Sequence, residues 1–123
     1  MKKSGFIHKR VLSFKYAFQG VLTLFATQIH AWIHLLAVVV VVSAGLILGC
    51  TPTEWAILVL TFGAVLSAEA MNSAIEFLTD LVSPEYHELA GKAKDVAAAA
   101  VLILAIASIG VACFIFIPKL NVF

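Results

Sequence analysis

The sequence predicts an all-α membrane protein, with an N-terminal amphipathic helix on the membrane surface followed by three transmembrane helices. Three observations carry this. Hydrophobic residues make up 63% of the 123-residue chain and charged residues only 12%, against roughly 45–50% apolar content in soluble domains. The apolar residues fall in long unbroken runs, not in the stripes that a soluble helix buries against a core. The basic residues gather at particular ends of those runs, as the distribution of Lys and Arg across a bilayer requires.

The elements follow in chain order. Over residues 6–28, Val11, Phe14, Phe18, Leu22 and Phe25 recur at spacings of three and four between Lys9, Arg10, Lys15 and Gln19, the pattern of a helix lying in the interface. No purely apolar segment or small-residue cleavage site follows the early charges, so a cleaved signal peptide is the less favoured reading. Ala31 to Gly49 carries no formal charge and nears the roughly 20 residues that cross the hydrocarbon region. Pro52 and Glu54 then mark a short turn, with Trp55 as an interfacial anchor. The second span, 55–81, exceeds what a bilayer needs, so its polar last third is expected near the interface. "SPEYHELAGKAKD" reads as a polar connection, and 97–117 as the third span. The 123 residues are expected to form a single integral-membrane domain.

Lys2, Lys3, Lys9, Arg10, Lys15, Lys92 and Lys94 flank one side and Lys119 the other, which puts the N-terminus and the second connection in the cytoplasm. A net charge of +1 with no basic face argues against a nucleic-acid binder. Cys50 and Cys113 form no disulfide framework and no metal spacing; free thiols are expected. His30 and His34 share a helix face without a nearby carboxylate pair, and read as interfacial histidines.

The second span holds the chemistry. Counting from Glu69, Asn72, Ser73, Glu76 and Asp80 fall at plus 3, 4, 7 and 11, on one helical face, while Met71, Ala74, Ile75, Phe77 and Leu78 occupy the others. A carboxylate in hydrocarbon is costly, so such a stripe faces a protein partner, a cavity or bound cations; the alternative for Glu76 and Asp80 is a helix end projecting into water. Lys92, Lys94 and Asp95 close the following connection, where a helix start favours an anion. Acids able to hold a divalent cation beside such lysines suit a metal-bound polyphosphate, although ordinary flanking lysines look the same. "LAGKAK" lacks the upstream glycine and the hydroxyl of a phosphate-binding loop. Three short spans do not enclose a polar stripe on all sides. A second copy is therefore expected to complete the pocket, with Ala97 to Ala100 permitting close approach.

Glu69 to Val101, "EAMNSAIEFLTDLVSPEYHELAGKAKDVAAAAV", resembles the signature of the small bacterial integral-membrane lipid kinases, the diacylglycerol kinase and undecaprenol kinase family, and "FKYAFQG" (14–20) and "WIHLLA" (32–37) extend the resemblance over nearly the whole chain. The resemblance implies a homotrimer in the bacterial inner membrane, transferring the ATP γ-phosphate to a lipid hydroxyl at the cytoplasmic interface with Mg²⁺ as cofactor. Carried over by position, Glu69 is the general base. Glu76 binds the magnesium, Asn72 and Asp80 support that site, Lys94 and Asp95 hold the phosphates and order the loop, and Tyr16 and Gly20 line the nucleotide pocket. In one respect the chain departs from the family: a second metal-binding glutamate and an arginine are replaced by Gln28 and Trp32. Gln28 offers magnesium an oxygen without a charge. "SFKYAFQG", "IHLLA" and "LVSPEYH" are more similar to the undecaprenol branch, and "EYHELAGKAKD" also to the diacylglycerol branch; undecaprenol is the favoured acceptor. The readings from other classes are a non-catalytic membrane protein that keeps the fold, which Gln28 supports, and an ion channel lined by the acid stripe.

Overall fold

The computed structural model of the protein describes residues 5–120; Lys2 and Lys3 of the basic set lie outside them. Four α-helices follow one another: α1 (Phe6–Thr27), α2 (Ile29–Leu48), α3 (Pro52–Val82) and α4 (Glu88–Phe116), the last continued by a 3₁₀ turn over Ile117–Leu120. The last three, α4 with its 3₁₀ extension, are long and apolar enough to cross a bilayer, and the chain is a multi-pass membrane protein with α1 as its amphipathic surface helix.

The spans are helices because, in hydrocarbon, a chain must satisfy its backbone groups internally. Few of their apolar side chains are buried: Ala31, Leu58, Val65, Ala97 and Ile115 form the interior, while Val39, Val40, Ile47, Leu60, Ile103 and Ile106 point outward, toward lipid. α3 packs chiefly on α4, with α2 against α3 and α1 touching both α2 and α3.

Each junction has a local cause. The α1–α2 elbow is Gln28, the residue between the two helices; its extended backbone (φ −116°, ψ 110°) closes α1 through an N–H donated to the Leu24 carbonyl. Trp32 pins that elbow. Its indole N–H donates to the Phe25 carbonyl at 2.7 Å, and its ring meets the Phe25 ring edge-on at 5.3 Å. α2 ends at Gly49 in the left-handed region (φ 71°), the usual helix stop.

Pro52 and Glu54, read from the sequence as a turn, are instead the first turn of α3, and the connection shrinks to residues 49–51. The reason is a reciprocal cap: Thr51 Oγ1 accepts the Glu54 N–H, and Glu54 Oε2 accepts the Thr51 N–H at 2.7 Å. Lys119 closes the same end by reaching Glu54 at 2.9 Å and the Gly49 carbonyl at 3.3 Å. Trp55 packs inward, its ring lying over buried Gly45. A Cβ on Gly45 would sit 2.7 Å from that ring, so Gly45→Ala is expected to force the indole away and lower stability by about 1–3 kcal/mol, read as a lower melting temperature in detergent. Cys50 and Cys113 are free thiols.

At the opposite end, α4 begins at Glu88, not at 97, because Glu, Leu, Ala and Lys are strong helix formers whatever their polarity. The non-helical connection is residues 83–87 alone, capped by His87 Nδ1, which accepts the Leu89 N–H. Lys92, Lys94 and Asp95 therefore stand beyond the first turn of α4 and away from its free amides, which corrects the helix-start reading of that cluster.

Candidate functional site

α3 carries the site as a gradient of exposure. Glu69, Asn72 and Ser73 are 2%, 8% and 3% exposed, Glu76 is half-buried and Asp80 is exposed. One helical face thus runs from a closed interior to an open end. The expectation that three spans leave this stripe uncovered is corrected at Glu69, Asn72 and Ser73. Glu69, Asn72 and Ser73 are enclosed by the chain itself, because α2 and α4 both pack on α3.

Glu69 and Glu76 are seven residues apart, about 10 Å along the axis, and have different surroundings. Around Glu69, the Ser73 hydroxyl donates to the Glu69 carbonyl at 2.9 Å, and the carboxylate faces α2, where His34 Nε2 stands 3.7 Å from Glu69 Oε2. Around Glu76, the Asn72 side-chain N–H donates to Glu76 Oε1 at 3.2 Å. The other end of that amide, Asn72 Oδ1, is buried and accepts no hydrogen bond, an uncommon state for a buried oxygen.

Asp80 continues the face toward α4, where the Lys94 ammonium donates to Asp80 Oδ1. This ion pair ties the two helices beside a small polar hollow of about 170 Å³ whose walls include Ser83, Tyr86, His87 and Gly91. Lys92 pairs with Glu88 on its own helix at 2.7 Å. Asp95 is exposed and has no ion-pair partner within 4 Å among the described residues.

The surface helix supplies another wall. Between α1 and α3 runs an apolar cleft of about 630 Å³ lined by Gly20, Leu24, Ser67, Ala70, Ser73 and Phe77. Gly20 is thereby brought beside the α3 face, where a Cβ on it would meet nothing within 4 Å. Tyr16, 62% exposed one turn earlier on α1, does not line that cleft. Gln28 holds the elbow.

A magnesium ion suits these donors, for it takes hard oxygen ligands, one or two carboxylates together with substrate phosphates and water. Glu76 offers a carboxylate, and the unpartnered Asn72 Oδ1 an adjacent amide oxygen. Among the described residues no cluster of three or more His, Cys, Asp or Glu is placed to hold a metal ion.

The residue that sequence reasoning missed is His34, assigned to the interface while it in fact faces Glu69. A signal was present: His34 lies sixteen residues before Cys50 and Glu69 nineteen after it. Two antiparallel helices joined by a short turn set such positions at nearly equal depth.

The comparisons agree with this architecture. The family model described as prokaryotic diacylglycerol kinase matches residues 15–116. The chain is 42% identical over 111 residues to a diacylglycerol kinase of Synechocystis sp., spanning 89% of this chain but only 63% of that protein. It is 36% identical over 108 residues to an undecaprenol kinase of Bacillus subtilis, 88% of each chain, and 34% identical over 97 residues to a diacylglycerol kinase of Escherichia coli, 79% of this chain and 67% of that one. Matched over most of its length, from the surface helix through the acid face of α3 to the end of α4, the chain belongs to the prokaryotic diacylglycerol kinase family, a family of lipid kinases.

Proposed function

We propose that the chain transfers the γ-phosphate of ATP to the hydroxyl of a membrane lipid, with undecaprenol preferred over diacylglycerol. The observation that carries this is the graded face of α3: a carboxylate closed off from water at Glu69, and about 10 Å away a carboxylate open to a nucleotide at Glu76. Phosphoryl transfer asks for positioning and charge neutralisation more than covalent chemistry, and this face divides those tasks.

Glu69 is the general base. It takes the proton of the lipid alcohol as that oxygen bonds to the γ-phosphorus, while the bond from the γ-phosphorus to the β–γ bridging oxygen breaks and ADP leaves. Glu76 holds the nucleotide's magnesium, Asn72 adds its amide oxygen, and Gln28 adds a neutral oxygen from the elbow. Magnesium, when bound, supplies charge neutralisation on the β- and γ-phosphates. Lys94 and Asp95 hold the phosphates and order the loop, Asp80 fixes Lys94, and Tyr16 with Gly20 accommodates the nucleotide beside α1. The partly open lower half of the stripe, Glu76 and Asp80, is where neighbouring protomers of a homotrimer complete the pocket. The working arrangement is in the bacterial inner membrane, with the N-terminus and the 83–87 connection cytoplasmic.

For the acceptor, the undecaprenol kinase match over 88% of both chains supports undecaprenol, and the higher identity to a diacylglycerol kinase supports the alternative. A competition assay with both lipids and Mg-ATP in mixed micelles is expected to yield mainly undecaprenyl phosphate. A strong preference for diacylglycerol would reverse the acceptor assignment, and phosphorylation of neither would end the kinase reading.

A further inference from the structure

We infer that His34 is a positioning residue for Glu69, an inference that rests on the base role proposed above. His34 on α2 places Nε2 3.7 Å from Glu69 Oε2, with the imidazole 19% and the carboxylate 2% exposed. It is the one basic side chain within 4 Å of Glu69 among the described residues. His30, one turn earlier, is exposed and makes no such contact.

The surroundings leave the imidazole little other choice. His34 borders an apolar cavity of about 150 Å³ between α2, α3 and α4, with Leu58, Phe62, Val65 and Ile109 among its walls. The two hydroxyls on the same cavity, Thr61 and Ser108, donate to the carbonyls of Ile57 and Ala105 on their own helices. The strong acceptor offered to the ring is therefore Glu69.

The separation exceeds a hydrogen bond, as catalytic contacts often do before substrate arrives. With a small tilt of either side chain, Nε2–H donates to Oε2. That fixes the carboxylate plane and leaves Oε1 free to take the proton of the lipid alcohol. Without the imidazole, a carboxylate that accepts no other side-chain donor in this interior turns freely or is left unpaired. His34 thus acts through Glu69 on the chemical step and touches neither substrate.

The test uses the full chain in lipid bicelles, with kcat and both KM values measured for His34→Leu, His34→Gln and Glu69→Gln. His34→Leu is expected to lower kcat about tenfold or more, the scale of losing a partner that orients a working group, with KM for Mg-ATP and lipid nearly unchanged. His34→Gln, whose amide N–H reaches the Nε2 position, is expected to recover a large part of that loss. Wild-type kcat in His34→Leu beside an inactive Glu69→Gln overturns the positioning role and leaves the base assignment standing. Wild-type turnover in Glu69→Gln removes the base assignment and this inference with it. Should His34→Leu prove too unstable to assay, the melting temperature of the His34→Leu, Glu69→Gln double variant decides. Recovery of the stability lost in His34→Leu supports the pairing, and additive losses overturn it.

Discussion

Glu69→Gln is expected to lower kcat by about three orders of magnitude, within the range that a positioned general base supplies. The substitution keeps the volume and planarity of a side chain that is almost fully enclosed, so packing on α2 and α4 survives and the loss belongs to the chemistry. An amide oxygen next to the lipid hydroxyl still orients it but does not take its proton. Steady-state turnover with saturating Mg-ATP and lipid measures the effect. A variant that retains more than about a tenth of the wild-type kcat contradicts the base role.

The second large effect is expected at Glu76. Glu76→Gln removes the negative charge from the half-buried carboxylate that accepts the Asn72 N–H. Magnesium affinity depends strongly on carboxylate charge, all the more where Gln28 contributes none. The expected result is a rise of about tenfold or more in KM for Mg-ATP together with a fall in kcat, by analogy with the 10–100-fold losses seen when metal sites lose a supporting group. Raising magnesium should recover part of the loss in Glu76→Gln and none in Glu69→Gln. Equal recovery in both would contradict the division of tasks along α3.

The acid face was legible because a 3.6-residue period places Glu69, Asn72, Ser73, Glu76 and Asp80 together whatever surrounds them, and the structure keeps them on one side of α3. Apolar run length likewise located the three spans. Their ends were less legible, for polarity marks where a chain meets water and not where a helix stops. Glu88 to Val96 is polar and helical at once, and Thr51 to Glu54 reads as a turn until its two reciprocal hydrogen bonds are seen. Partners across helices were the least legible. The Lys94–Asp80 pair and the approach of His34 to Glu69 depend on how α2 and α4 rotate against α3, and packing settles that rotation. By its sequence Gln28 is an uncharged oxygen donor. Its position as the elbow between two helices, locked by Trp32, adds a mechanical role that composition does not carry.

The central claim is that one face of α3 separates proton transfer at Glu69 from nucleotide binding at Glu76. Its most direct test is a binding titration of Mg-ATP to purified Glu69→Gln in lipid bicelles, with kcat taken from the same preparation. The expected Kd lies within about twofold of wild type, because uniform binding is untouched when only a transition-state contact is lost, beside a collapsed kcat. A Glu69→Gln protein that loses Mg-ATP binding while keeping its maximal rate would contradict it.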